Sequence, residues 1–272
     1  MRLFRFLSIV IFILITGVYA WFHFYNQANT DLTIPQITFE TDVLEVAVDA
    51  DEAALLRDVR AQDEKDGDLT ARVIVERISN FVEKGLSNIT YAVVDNDRHT
   101  VKATRRIRYI DYRSPRFTFS QAMRFDAGSS FNILKSLGAV DMIDGDISNT
   151  VKLTGSDLLV NTPGTYMMQA QVTNSKGDVS YLHFNVTIVQ GRRGAPHINL
   201  TDYLVYLKRD AGFDPNVYFK DVTLNDLPVT NYKLEVSSQV ATNIVGSYQV
   251  YYMITDERGN SGETDLAVIV EE

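Results

Sequence analysis

The chain has 272 residues, of which 45% are hydrophobic and 22% charged, a globular balance that excludes wholesale disorder. Its formal net charge is −9, and because the first thirty residues hold two arginines and no acid, the remainder carries −11. So acidic a surface repels phosphate backbones and excludes nucleic acid as an expected partner. The absence of cysteine excludes disulfides, thiolate zinc sites and a cysteine nucleophile, so hydrophobic cores must hold the fold.

The N-terminus predicts an export segment. Two arginines precede an almost wholly apolar run, and residues 6–25 are long enough to span a bilayer as a helix. Trp21 and its aromatic neighbours match an interfacial belt, and the arginines favour an N-terminus inside with the rest outside. We therefore expect a single-pass anchor in the cell membrane and an extracytoplasmic ectodomain. Cleavage near Ala20, which would give a secreted protein, stays open as the alternative.

Beyond residue 30 the chain is strand-like, with side chains that alternate between apolar and polar. The clearest runs are Gly164–Asn174, Ser180–Val189 and Gly246–Asp256, in which every second residue is apolar. Only short helical turns are expected, within Asp51–Arg60 and Asn132–Leu137. The alternation predicts sheets with one buried face and one solvated face.

The strand pattern recurs at a fixed spacing, which is the signature of tandem modules. Each copy opens with a proline before an extended apolar stretch, and Pro35, Pro115 and Pro196 lie 80 and 81 residues apart. A later strand of each copy ends in a polar turn, at Asp95, Asn174 and Asp256. Modules of this size, built from short strands, predict β-sandwiches.

We therefore predict an all-β protein with three tandem immunoglobulin-like sandwiches after an N-terminal transmembrane helix. The helix and its juxtamembrane segment occupy 1–30, and the first, second and third modules occupy 31–112, 113–191 and 192–272.

Two modules share an acidic motif, Ala61-Gln-Asp63-Glu-Lys-Asp66-Gly67-Asp68 and Ala139-Val-Asp141-Met-Ile-Asp144-Gly145-Asp146, which the third module lacks. Later strands add Gly164-Thr-Tyr166, Gly246-Ser-Tyr248 and Asp256-Glu-Arg-Gly259-Asn260. Together these motifs resemble the immunoglobulin-like repeats of bacterial cell-surface proteins, which are similar to cadherin and hyalin repeats. The resemblance covers 35–272 and implies spacers, stalks or adhesive surfaces, although a fold does not determine a function.

The Asp-Gly-Asp loops are the best candidates for a site. Clustered carboxylates are the ligands that calcium prefers, and Asp95 with Asp97 would complete the first cluster if their turn lies beside it. In the alternative interpretation the loops are polar turns, because aspartates bond their own backbone and Asp-Gly is a common hairpin dipeptide. No other cofactor is expected. The candidate calcium ligands are Asp63, Asp66, Asp68, Asp95, Asp141, Asp144 and Asp146.

No catalytic constellation is recognisable, so we expect a protein that is not an enzyme. The four histidines show neither nucleophile nor metal spacing: His23, His99, His183 and His197. A hydrolase is a remote alternative, which would need a pocket with two carboxyl groups of different pKa.

The expected function is structural spacing, adhesion or protein interaction at the cell surface, with a surface protein or a cell-wall polymer as partner. A calcium- or carbohydrate-binding module is the alternative. Candidate aromatic faces for sugars are Tyr203, Tyr206, Tyr232 and Tyr251. Because the third module differs most from the other two, we predict that any specific binding lies there.

Overall fold

The computed structural model of the protein describes residues 2–29, 33–191 and 194–272. Strands dominate these ranges after one N-terminal helix, and three separate hydrophobic clusters form the cores of three sandwiches. This confirms the predicted all-β class. The chain divides into two compact units, Met1–Ile110 and Asp111–Glu272, and the second unit holds the second and third modules. The residue boundaries assigned to the modules stay predictions.

Helix α1 (Arg2–Asn29) contains the segment Phe6–Tyr25, which is 20 residues long and has a mean hydropathy of 2.0. None of this segment is buried by the rest of the chain. A helix that is hydrophobic all round is normally buried in a protein core or in a membrane. The helix is therefore long and apolar enough to cross a membrane, as its length and composition show.

The first module pairs a three-stranded sheet with a four-stranded sheet. Its strands are β1 (Gln36–Phe39), β2 (Val43–Val46), β3 (Val59–Asp63), β4 (Gly67–Asp68), β5 (Ile74–Ile78), β6 (Leu86–Val94) and β7 (Thr100–Tyr109). The sheet orders are β1-β3-β4 and β2-β7-β6-β5, and only β2 and β7 pair in parallel. Helix α2 (Glu52–Leu55) begins after Asp51, whose carboxylate accepts a 2.8 Å hydrogen bond from the backbone N of Ala54.

A buried arginine lies in the core of the first module. Arg105 is buried, and its guanidinium lies 5.1 Å from the ring centre of Phe39 and 5.4 Å from that of Tyr91. It donates hydrogen bonds to the carbonyl of Arg57 at 2.6 Å and to the Tyr91 hydroxyl at 3.1 Å. These acceptors and the two ring faces offset the cost of removing the charge from water.

The second and third modules repeat this plan. The strands of the second are β8 (Arg116–Phe119), β9 (Arg124–Asp126), β10 (Leu137–Asp141), β11 (Gly145–Asp146), β12 (Lys152–Ser156), β13 (Gly164–Thr173) and β14 (Val179–Val189), with helix α3 at Ile133–Ser136. Those of the third are β15 (His197–Leu200), β16 (Leu204–Lys208), β17 (Phe219–Leu224), β18 (Leu227–Pro228), β19 (Tyr232–Ser238), β20 (Gly246–Asp256) and β21 (Ser261–Glu271).

The sheet orders of the second unit match those of the first module. They are β8-β10-β11 with β9-β14-β13-β12, and β15-β17-β18 with β16-β21-β20-β19. In each module the second strand again pairs in parallel with the last, as β9 with β14 and β16 with β21. The shared order shows that one supersecondary plan is repeated.

The buried faces of the long strands follow the predicted alternation. On β14, Leu182, Phe184 and Val186 are buried. His183, between Leu182 and Phe184, is exposed. On β20, Tyr252 is buried while its neighbour Tyr251 is 45% exposed. The two short helices, α2 and α3, also lie where the sequence predicts helical turns.

Replacing Ile107 by Ala tests the core of the first module. Ile107 is fully buried in that core, so we expect a loss of about 2–5 kcal/mol in the free energy of unfolding. The matched control Ile110→Ala removes a side chain that is 67% exposed and should change it by less than about 0.5 kcal/mol. Calorimetry of the full chain in detergent measures both, and equal losses would contradict the assigned core.

Candidate functional site: acidic turns and a charged junction

The Asp-Gly-Asp loop of the first module is a tight turn held by its own carboxylates. Asp63, the last residue of β3, is only 7% exposed. Its Oδ1 accepts hydrogen bonds from the backbone N of Lys65 and of Asp66, both at 2.9 Å. Gly67 closes the turn with a φ of +76°, a backbone conformation that residues other than glycine adopt only with strain.

Asp66 joins this loop to the turn after β6. Its carboxylate accepts hydrogen bonds from the backbone N of Asn96 at 2.7 Å and from the side-chain amide of Asn96 at 2.8 Å. Lys65 Nζ lies 3.0 Å from a carboxylate oxygen of Asp97. The two turns therefore lie side by side, as the calcium argument requires, but donor groups of the protein occupy these carboxylates.

Asp95 forms hydrogen bonds within its own turn. It is buried, and its carboxylate accepts a 2.7 Å hydrogen bond from the backbone N of His99. The other oxygen lies 2.6 Å from Nδ1 of His99. The predicted ligand is thus a hydrogen-bonded partner of a histidine.

The second module repeats these contacts with different donors. Oδ1 of Asp141 accepts hydrogen bonds from the backbone N of Ile143 at 2.9 Å and of Asp144 at 3.0 Å. Asp144 accepts from the backbone N of Ser175 at 2.6 Å and from its hydroxyl at 2.7 Å. Asn174 donates to Oδ2 of Asp141 at 3.1 Å. In both loops the first aspartate thus accepts hydrogen bonds from the backbone of its own loop, and the second accepts hydrogen bonds from the neighbouring turn.

The third aspartate of each loop starts the next turn. The Thr70 hydroxyl and then its backbone N–H hold the pKa of Asp68 below its usual value, and Ser148 does the same for Asp146. Carboxylates with a lowered pKa favour the folded state above their ordinary pKa, and this contribution is lost as the pH falls through the lowered value. In the third module the Asn260 side chain likewise lowers the pKa of Asp256.

The third module replaces the loop by a shorter hairpin. Asn225 and Asp226 join β17 to β18 with φ values of +51° and +62°, the pattern of a two-residue hairpin turn. Asp221 is held by the side-chain amide of Asn199 at 2.5 Å.

Within residues 2–29, 33–191 and 194–272, no group of three His, Cys, Asp or Glu side chains is placed to hold a metal ion. The backbone and amide donors described above give the loop carboxylates structural hydrogen bonds, which supports the turn interpretation. Calcium binding stays a prediction from the sequence.

A second cluster of charges lies where the second and third modules meet. Arg124 on β9 is only 15% exposed, and its guanidinium lies 3.2 Å from Asp265 and also pairs with Glu263. Asp265 on β21 is only 5% exposed. Burial raises the pKa of Asp265, while the charge of Arg124 opposes the rise. The cluster therefore holds a carboxylate inside the unit by means of one arginine.

Arg116 makes a second contact between these modules. It pairs with Glu271, and its guanidinium lies 4.8 Å from the ring centre of Tyr206. The Tyr206 hydroxyl accepts a 3.1 Å hydrogen bond from the backbone N of Phe117. Burial raises the pKa of Tyr206 to about 12. Tyr206 is therefore part of the junction, and its ring face is covered by Arg116.

The other tyrosines proposed as sugar contacts differ in exposure. Tyr203 packs against the cores of both modules, and Tyr232 packs on the core of the third with its ring centre 6.0 Å from that of Phe219. Of the four, Tyr251 presents the most exposed ring. No local sequence pattern indicates a role for Arg124, and Asp265 stands out only as one of a pair of acids, Glu263 and Asp265, two residues apart on a strand.

Comparison with known proteins finds similarity of the chain to one bacterial and one phage protein. No protein-family model matches it. It is 30% identical over 227 residues to the pesticidal crystal protein Cry22Aa of Bacillus thuringiensis, a match that covers 78% of this chain and 29% of that protein. It is 28% identical over 143 residues to an uncharacterised 81.3 kDa protein of Acholeplasma phage L2, covering 51% of this chain and 19% of that protein. The chain therefore spans less than a third of these relatives.

Similar solved structures include the extracellular domain of protocadherin GammaB4, with 11% identity, a TM-score of 0.21, and coverage of 89% of this chain and 51% of that one. The fibronectin(III)-like modules of Clostridium thermocellum CbhA give 14% identity, a TM-score of 0.22, and coverage of 57% and 94%. TM-scores this low carry no argument, and the fold rests on the strand orders described above.

A thermal melt of the full chain in calcium and in excess EDTA tests the acidic loops. If they are hydrogen-bonded turns, we expect the same midpoint in both buffers, because a ligand raises the midpoint only by binding the folded state. A rise in calcium that is lost in Asp66→Asn and Asp144→Asn would instead show metal binding. Asp157→Asn, which changes an exposed aspartate outside the loops, is the matched control.

Proposed function

We propose that the chain is a non-enzymatic extracytoplasmic protein that residues 6–25 anchor in a membrane. Its modules would act as spacers and as an adhesive surface for a surface protein or a cell-wall polymer. The observation that carries the proposal is an apolar helical segment, Phe6–Tyr25, of which none is buried, followed by three modules with cores of their own.

The exposed surface of α1 supports a lipid environment. Apolar side chains such as Phe12, Leu14 and Ile15 are exposed on successive positions around the helix, so no single face is left for water. Near the end of the span the rings of Trp21 and Tyr25 stack with their centres 5.6 Å apart, where aromatic residues meet the membrane–water interface. The two arginines of the sequence before the span favour an inside N-terminus.

The contacts of the charged junction support a binding role over a hydrolytic one. Glu263 and Asp265 are the carboxyl pair that comes nearest to the requirement of a hydrolase, since the pKa of Asp265 is raised. Both are engaged by Arg124, and Asp265 is buried. A general acid must reach the leaving group of a substrate, but both of these carboxyl groups are paired with Arg124.

The relatives support the same proposal. The pesticidal crystal protein shares with this chain a stretch that is under a third of its own length. A module array that occurs inside a larger protein is consistent with a part that spaces or presents other parts.

Membrane fractionation of the full chain with a C-terminal tag tests the proposal. We expect the chain in a membrane pellet that resists alkaline carbonate, and we expect protease added to spheroplasts to remove the tag. A double variant, Ile13→Lys with Leu14→Lys, should lose membrane retention, because each charge at the centre of a span costs about 2.5–3.5 kcal/mol. Leu159→Lys, at an exposed position of the second module, is the matched control.

One outcome would contradict the anchor and another its orientation. A soluble chain whose mass shows cleavage near Ala20 would establish the secreted alternative. A tag that survives protease outside the cell but not after lysis would place the modules inside.

A further inference from the structure

We infer that the open face of the four-stranded sheet of the third module carries a groove that binds a mono- or disaccharide beside Arg124. The groove has a volume of about 350 Å³, in the lower part of the range of small-molecule sites. The inference deepens the proposed function and rests on it only for the exposure of the modules outside the cell.

The groove arises because the second module covers only part of this sheet. Ala267 and Ile269, on the outer face of β21, pack against the core of the second module. Tyr251 and Met253, on the same face of the neighbouring β20, stay exposed. Arg124 is the one described residue of the second module that lines the groove, and the other lining residues belong to the sheet of the third module.

The strand register places two rows of side chains across the floor of the groove. Tyr251 lies opposite Ser237 on one side and Asp265 on the other. In the next row Met253 lies between Glu235 and Glu263. Side chains opposite each other on one face of a sheet have Cβ atoms about 4.5–5.5 Å apart. Each row therefore sets one apolar group between two polar ones.

The ring of Tyr251 is held in place before any ligand arrives. Its hydroxyl donates a 3.0 Å hydrogen bond to Oε1 of Gln249, two residues earlier on the same strand. The same oxygen accepts a 3.2 Å hydrogen bond from the side-chain amide of Asn185 in the second module. Gln249 thus links the Tyr251 hydroxyl to Asn185 of the second module. A ring that is already ordered loses less conformational entropy when a ligand binds.

The groups in the groove match the two chemical faces of a sugar ring. A sugar presents a face of C–H groups and a rim of hydroxyls that both donate and accept hydrogen bonds. The ring of Tyr251 and the side chain of Met253 supply an apolar platform. Glu235 and Glu263 supply charged acceptors for hydroxyls, and the guanidinium of Arg124 supplies donors.

The charge balance of the groove favours a neutral ligand over a basic peptide. Arg124 offsets Glu263 and Asp265 in part, and Lys233 Nζ lies 2.6 Å from a carboxylate oxygen of Glu235. With its carboxylates already paired, the groove gains little from a further cation. A polyhydroxylated ligand can share these pairs without breaking them, because carboxylate oxygens accept several hydrogen bonds.

Calorimetric titration of the full chain with chitobiose, cellobiose and maltose, and with tetralysine as a basic peptide, tests the groove. The chain is held in a polyoxyethylene detergent, because a glucoside detergent would compete. We expect at least one of these saccharides to bind, and Tyr251→Ala to weaken it at least about tenfold by removing a central aromatic contact. Tyr251→Phe keeps the ring and should cost less. Tyr181→Ala removes an exposed tyrosine outside the groove and should leave binding unchanged.

Three results would overturn the inference. The first is that none of the saccharides binds, and the second is that Tyr251→Ala, with an unchanged thermal midpoint, binds as the wild type does. The third is that only tetralysine binds, with a loss in Glu263→Gln, which would make the groove a site for basic peptides. A chain that fractionates to the membrane and exposes its modules, yet binds no saccharide, would refute the groove and leave the proposed anchor intact.

Discussion

The carboxylate of Asp265 is buried between two sandwiches, and Arg124 is the group that compensates it. Removing one partner of a buried ion pair leaves an uncompensated charge, which destabilises a protein far more than the loss of an exposed pair. Because Arg124 lies on β9 and Asp265 on the outer face of β21, their contact joins the second module to the third at the edge of the covered part of that face. The part of that face that the second module leaves uncovered contains the groove around Tyr251.

Other buried charged side chains form hydrogen bonds with the backbone. Asp63 and Asp141 each end a strand and accept two peptide N–H groups, which shapes the Asp-Gly-Asp loops. Arg105 lies between two aromatic rings with a carbonyl as its acceptor. In a chain without cysteine, these local networks and the three cores hold the modules together.

The sequence predicts what depends on short-range pattern and misses what depends on long-range pairing. Alternation on β14 and β20 predicts which faces are buried, because a strand sends successive side chains to opposite sides. The pairing of Arg124 with Asp265 joins residues 141 positions apart, and no local pattern indicates it. The loops are ambiguous for another reason, since the same aspartates suit both a turn and a cation. Their donors become visible only in the structure, as in the contact of Asp66 with Asn96.

The most direct test is a distance measurement between spin labels in the second and third modules. Because the chain has no cysteine, Leu153→Cys and Lys233→Cys create two labelling sites on exposed strands. We predict one narrow distance distribution that broadens in Arg124→Ala and stays narrow in Arg209→Ala, which breaks the exposed pair with Glu272. A broad distribution in the parent chain, or a narrow one in Arg124→Ala, would contradict the claim that this buried pair sets the junction.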